Sequence, residues 1–271
     1  EVAKLSDSWI PAKQGTDAAV AMAMGHVILK EFYVDNQSEY FHEYVRKYSD
    51  MPFLIMLDHK EGRWVPGRTL RASDFTDALN HENNPDWKPV VFDQESQQVV
   101  VPNGTIGSRW GDQGKWNLEE KNQQDDSDIK PMLSFLGQAD EVLPIAFPYF
   151  GNQQHDQAIF AHSDHDSILN RKVPVKTLQL AGGTVKAVTV YDLMLANYGL
   201  DRGLDDDQVA QSYDDDVPYT PAWQEQITGV KREQIIQVAR EFADTADKTR
   251  GRSMVILGAA IRHWYHMEMT Y

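Results

Sequence analysis

The side chains best placed to do chemistry lie in Lys13-Gln14-Gly15-Thr16-Asp17, a short polar loop. It runs straight into Ala18 to Leu29, a small and apolar stretch broken only by Gly25 and His26. A helix starting there presents unpaired N–H groups and partial positive charge, which suits an anion such as a pyrophosphate. A carboxylate at the same point accepts both edge donors of guanine, its ring N–H and its exocyclic amine. Asp17 is therefore either a guanine reader or a plain helix cap, since Asp is among the favoured capping residues.

Other polar groups are less specific. His263 and His266 share one face if they lie on a helix, as metal ligands can, and they could equally bind a phosphate or a backbone carbonyl. His162, Asp164, His165 and Asp166 offer imidazole and carboxylate, but their spacing fits no established metal site and reads as a solvated loop. The aspartates at 201, 205 to 207 and 214 to 216 lack EF-hand spacing and read as a hydrated acidic face. The stretch GSRWGDQGKW mimics a phosphate-binding loop, yet Arg109 stands where the first Gly is needed and Trp116 replaces Ser or Thr. Asn103, Gly104, Gly107, Gly111 and Gly114 read as turn residues. No Gly-x-Ser-x-Gly elbow occurs, and the absence of cysteine excludes a thiol nucleophile or a thiolate metal ligand from this chain.

The chain has 271 residues, 41% of them hydrophobic, with 7 Trp, 11 Tyr and 10 Phe, enough for a substantial core. Its formal charge of -15 disfavours nucleic acid and anionic lipid, both of which need Lys and Arg. The apolar run Ala18 to Leu29 falls short of the ~20 residues a bilayer span requires. Both ends read as cuts, so an internal piece of a longer protein is expected.

The elements that must position the loop follow from periodicity. Residues 17 to 33 form a helix capped by Thr16 or Asp17 and buried nearly all round. Phe41, Tyr44, Val45 and Tyr48 mark a helix over about 38 to 48. PFLIML (52 to 57) is a strand that turns at Glu61-Gly62 into Arg63-Trp64-Val65, and Ser73 caps a short helix DFTDAL. Residues 83 to 171 read as an irregular insertion with short hairpins, following a first α/β region at 1 to 82. From 172 to 271 come two strands joined at Gly182-Gly183, a helix from about Tyr191, and an acidic connector. A strong helix follows, with Thr228 as its cap and a stripe of Ile235, Val238, Ala239 and Phe242. The last elements are a buried strand Met254 to Leu257 and a turn at Gly258. Helix, strand and Gly turn in that order suggest a parallel α/β layer with ligands at the strand ends.

Several stretches resemble a known family. PAKQGTDAAVAMAMGHVILKEF, TPAWQEQITGVKREQIIQVAREFA and GRSMVILGAAIRHWYH resemble the molybdopterin oxidoreductases of the dimethyl-sulfoxide-reductase superfamily. YVRKYSDMPFLIML, NGTIGSRWGDQGKWNLE, TVYDLMLANYGLDRGL, SYDDDVPYTPAW and HWYHMEMTY are similar to the respiratory nitrate reductase alpha subunits within it. The resemblance implies an α/β fragment of a multidomain molybdopterin oxidoreductase, with parallel-sheet cofactor-binding layers and a loop-rich insertion. It implies a molybdenum bis(molybdopterin guanine dinucleotide) cofactor, with Gln14, Gly15, Thr16 and Asp17 at a guanosine end and Gly258, Arg262 and His263 near its phosphates or pterin. Gly258-Ala259-Ala260 departs from the Gly-x-Gly frequent in relatives. The family's aspartate ligand to molybdenum and its 4Fe-4S ligands match no position here, so no catalytic residue is assigned.

The implied activity of the whole protein is oxygen-atom transfer from nitrate to give nitrite, with this piece alone inactive. The implied partners are an iron–sulfur beta subunit and a haem b gamma subunit at the cytoplasmic face of the bacterial inner membrane. Related reductases of chlorate, perchlorate or selenate, and nitrite oxidoreductases, stay open because scaffold does not fix substrate. So do a non-catalytic guanine-nucleotide module and an acidic interaction domain.

Overall fold

A computed structural model of the chain describes residue 4 and residues 6–103, 120–148, 168–206 and 208–258. It holds a β-barrel beside a layer of helices. The barrel closes in the order β1-β2-β5-β6-β7, and β3 and β4 make a separate two-stranded sheet. The strands are β1 (Leu54–Lys60), β2 (Arg63–Thr69), β3 (Val91–Phe92), β4 (Val99–Val100), β5 (Glu141–Pro148), β6 (Ile168–Leu180) and β7 (Gly183–Thr189). The helices are α1 (Asp17–Ile28), α2 (Glu39–Tyr48), α3 (Val190–Asn197), α4 (Pro221–Thr228) and α5 (Arg232–Thr249).

The mixed α/β class agrees with expectation, but no parallel layer forms among the described residues. Tight turns between β1 and β2 and between β6 and β7 impose antiparallel pairing, because two-residue connections cannot join parallel strands. Within the barrel, the parallel contact among the described residues is the Trp64–Ile145 pair that closes β2 on β5. β5 has no readable period because Pro144 and Pro148 interrupt it, yet it pairs with β6 over eight positions. Leu54, Leu70, Val90, Phe92, Phe135 and Ala187 pack in one core cluster of the barrel, and Ile145, Val173, Val175 and Val188 in another.

The helices differ in detail from the periodicity. α1 is apolar along most of its length but buries only Ala19, Ala23, His26 and Val27, because α4 and α5 cover one side of it. It passes at Leu29 into a π-helical turn that ends at Asp35. α2 and α3 lie where expected, and Thr189 caps α3 by accepting a hydrogen bond from the Asp192 N–H. Ser73 caps no helix in DFTDAL: Asp77, Ala78 and Leu79 adopt left-handed backbone angles, so the segment is a turn. Met254 to Leu257 is no strand either. Its four side chains are 58 to 80% exposed, since no neighbouring strand lies beside it among the described residues.

Candidate functional site

The polar loop folds as a turn. The Thr16 N–H donates to the Lys13 carbonyl at 3.2 Å, and Gly15 has φ +78°, as the third residue of a type II turn requires. The Thr16 hydroxyl also donates to the Lys13 carbonyl, at 2.6 Å, so it does not cap the helix. Only the Ala19 N–H reaches back, to the Thr16 carbonyl at 3.1 Å. The N–H groups of Asp17 and Ala18 have no backbone acceptor among the described residues. Asp17 is the exposed first residue of α1, and its carboxylate makes no hydrogen bond or ion pair among the described residues. The capping role considered for Asp17 therefore consumes nothing of its side chain.

Gln14 and Gly15 are also exposed, and a Cβ built on Gly15 meets nothing within 4 Å. Free N–H donors, an open glycine and an unspent carboxylate form a donor and acceptor set that fits a guanine or phosphate end of a dinucleotide.

The loop is held from behind by a stretch distant in sequence. The Lys13 N–H donates to the Thr228 carbonyl at 3.1 Å. Thr228 is the last residue of α4, followed by Gly229 in a left-handed conformation, so it does not cap α5 as expected. The cap of α5 is Lys231, which makes no side-chain capping bond. Ala23, Val230 and Ile235 seal the contact of α1 with α4 and α5, with Ile10, Ala12, Val20 and Met24 packed against them.

Of the second set of expected residues, only Gly258 lies among the described residues. Gly258 is exposed, with nothing within 4 Å of an added Cβ and no hydrogen bond to residues 13 to 17. Arg262, His263 and His266 lie outside the described residues, as do His162, Asp164, His165, Asp166 and the glycines from 104 to 114. Among the described residues no group of three or more His, Asp or Glu could hold a metal ion. In the acidic connector, Asp201, Asp206 and Asp215 accept backbone N–H groups in tight turns, and Asp214 pairs with Arg232 at 2.9 Å.

Periodicity reveals none of the buried polar groups. Asp192 and Arg202 pair at 2.5 Å with side chains almost wholly buried. Asp192 also accepts from the Ser134 hydroxyl and the Phe135 N–H, tying α3 to the loop before β5. A cavity of about 590 Å³ opens beside this pair, lined in part by His42, Arg46, Ser134 and Tyr191. Its lining does not include residues 13 to 17. His26 is buried in α1, its Nδ1 3.0 Å from the Tyr198 carbonyl, and burial lowers its pKa to about 4.

A family model described as molybdopterin oxidoreductase matches residues 2–271. The chain is 56% identical over 272 residues to the respiratory nitrate reductase 1 alpha chain of Escherichia coli (strain K12), covering all of this chain and 22% of that relative. It is 45% identical over 271 residues to the nitrate reductase alpha chain of Bacillus subtilis (strain 168), covering 100% of this chain and 21% of the relative. It is 25% identical over 263 residues to the perchlorate reductase subunit alpha of Dechloromonas aromatica (strain RCB), covering 97% and 21%. The chain thus spans about a fifth of the length of these curated relatives. With a match across nearly every residue and an exposed, unspent carboxylate in the Gly-Thr-Asp loop, this chain belongs to the molybdopterin oxidoreductase family.

Proposed function

We propose that this chain is part of the catalytic alpha subunit of a respiratory nitrate reductase, and that its Gly-Thr-Asp loop holds a guanosine end of a molybdenum bis(molybdopterin guanine dinucleotide) cofactor. The observation that carries the substrate is the 56% identity, along the whole chain, to a respiratory nitrate reductase alpha chain. A perchlorate reductase is the second reading, and 25% identity makes it the weaker one.

In this reading Asp17 accepts the two edge donors of guanine, and the N–H groups of Asp17 and Ala18 face its phosphate end. Gln14 and Gly15 leave the approach open. Gly258, Arg262 and His263 serve a second part of the same cofactor. When bound, the cofactor supplies the two-electron oxygen-atom transfer that converts nitrate to nitrite. This chain contributes orientation and hydrogen bonding, and its residues carry no step of the reaction.

The whole protein works with an iron–sulfur beta subunit and a haem b gamma subunit, holds a 4Fe-4S cluster through residues outside this chain, and sits at the cytoplasmic face of the inner membrane. Among the described residues no helix is long and apolar enough to cross a membrane.

Two measurements test the reading. The full-length protein, supplied with a chemical electron donor, is expected to turn over nitrate faster than chlorate, perchlorate or selenate; preference for perchlorate would favour the second reading. The full-length Asp17→Asn variant exchanges one acceptor for a donor against guanine. A mispaired polar contact of this kind costs about 1–3 kcal/mol, so cofactor affinity should drop roughly 5- to 150-fold, read as lower cofactor retention. Retention equal to that of the unmodified protein would remove Asp17 from the site.

A further inference from the structure

Gln224, Thr228 and Val230 form a closed knot of hydrogen bonds at the end of α4. The Thr228 hydroxyl donates to Gln224 Oε1 at 2.8 Å and accepts from the Val230 N–H at 3.0 Å. Gln224 Nε2 donates to the Val230 carbonyl at 2.9 Å. Gln224 and Thr228 are 0% and 1% exposed, so no solvent competes for these groups. All the side-chain polarity of the knot turns inward. The Thr228 carbonyl points out of it and receives the Lys13 N–H. The Lys13 carbonyl in turn holds both the N–H and the hydroxyl of Thr16, the residue before Asp17. The stem of Lys13 also lies along Gly229, its Cε 3.6 Å from where a Cβ would be.

A series of hydrogen bonds, linked through Thr228 and Lys13, therefore runs from a buried amide to Thr16, the residue that precedes α1. Lys13, Gln14 and Gly15 are exposed, so the loop has little packing of its own to fix it. Its position is set through the backbone bond to Thr228.

We propose that Gln224 and Thr228 are positioning residues for the cofactor loop: the knot they close holds Lys13, and through Lys13 it holds Thr16 and Asp17 in the arrangement that receives the dinucleotide. This rests on the reading of the loop given above. Neither residue touches the ligand. A buried amide and hydroxyl that satisfy each other rigidify what they are attached to, and a pre-ordered loop binds without first losing conformational freedom.

The test uses the full-length enzyme with its partner subunits. Thr228→Val removes the hydroxyl without changing shape, Gln224→Met removes the amide, and Thr228→Ser keeps every hydrogen bond. Molybdenum and guanine nucleotide per chain are measured as the protein is held at moderate temperature, beside the Tm of each cofactor-free variant. Thr228→Val and Gln224→Met are expected to lose cofactor about tenfold faster, with Thr228→Ser unchanged. Ile235→Val, in the neighbouring core but outside the knot, supplies a control for lost stability alone. Equal cofactor loss at equal Tm change in that control would overturn the proposal.

Hydrogen exchange on the unmodified protein gives an answer that does not depend on any variant folding. The Lys13 amide should be protected in the cofactor-free form, and exchange as fast as in an unstructured peptide would overturn the proposal. Asp17→Asn separates the two claims. If it sheds cofactor while Thr228→Val does not, the knot assignment fails and the loop reading stands. If Asp17→Asn retains cofactor, the loop reading fails, and the positioning role fails with it.

Discussion

Arg171 and Gly199 occupy one site between them. A Cβ on Gly199 would stand 2.6 Å from Arg171 Nη2, so the guanidinium fills the space a side chain would take. Arg171 is fully buried and donates to the carbonyls of Gln208, Asn197 and Pro218, binding β6 to the end of α3 and to the connector that follows. Gly199 also has φ +70°, a left-handed conformation that costs other residues about 1–2 kcal/mol. Overpacking adds about 1–3 kcal/mol. Gly199→Ala should therefore destabilise the fold by roughly 2–5 kcal/mol, read as a lower thermal midpoint. An unchanged midpoint would show that Arg171 moves aside freely.

The Asp192–Arg202 pair makes a second prediction. Both side chains are buried, and Asp192 serves three further donors, the Ser134 hydroxyl and the N–H and hydroxyl contacts at Phe135 and Thr189. Removing one partner strands the other charge in the interior, at a cost of about 3–5 kcal/mol. Arg202→Met should thus unfold at markedly lower denaturant, with the segment around Ser134 becoming sensitive to protease. A small effect would mean that water reaches the pair.

His26 predicts a pH dependence with a definite sign. Burial depresses its pKa from 6.5 to about 4, against the opposing influence of the Tyr198 carbonyl. Above pH 6.5 the ring is neutral in both folded and unfolded chains, and it takes nothing from stability. Between pH 6.5 and 4 the unfolded chain binds the proton first, so stability falls as pH falls. The full loss is on the order of 3 kcal/mol by pH 4. His26→Asn, which keeps a donor near Nδ1, should flatten this part of the profile relative to the unmodified protein. Parallel profiles between pH 7 and 4.5 would show that other groups set the acid response.

Gly15 separates the loop's geometry from its ligand. Its φ of +78° makes Gly15→Ala cost about 1–2 kcal/mol, although nothing in the chain would clash with the methyl group. Cofactor content of the full-length variant should drop further than its Tm suggests, because the methyl group enters the open face of the turn. Cofactor content that follows Tm alone would place the ligand elsewhere.

Much of the helical layer is legible in the chain. Phe41 and Val45 bury as their spacing requires while Tyr44 and Tyr48 of the same stripe stay exposed, and Ile235 and Ala239 form the inner stripe of α5 with Ala243 and Ala246, Val238 and Phe242 being only half-buried. The turn at Glu61-Gly62 separates β1 and β2 as expected, and the turn expected at Gly182-Gly183 falls one residue earlier, at Ala181-Gly182, with Gly183 opening β7 at φ +127°. The Gly-Thr-Asp loop is visible for the same reason: turn and helix start both depend on neighbours within a few residues. Thr228 is misread by that same logic, since a Thr before Gly-Val followed by a helix looks like a cap until its hydroxyl is seen to bond Gln224 and Val230. DFTDAL is misread because a helical composition cannot reveal left-handed backbone angles.

The order of types along the chain was enough to place α1, α2, α3 and α5, the Glu61-Gly62 turn and the polar loop, because these depend on contacts between residues three or four apart. Only the tertiary structure decided that β5 closes a barrel across two prolines, that Arg171 fills the place of a missing side chain at Gly199, and that Lys13 hangs on Thr228. Each of these joins residues far apart in sequence through burial and backbone hydrogen bonding, and no local pattern records which distant group will be there to meet them.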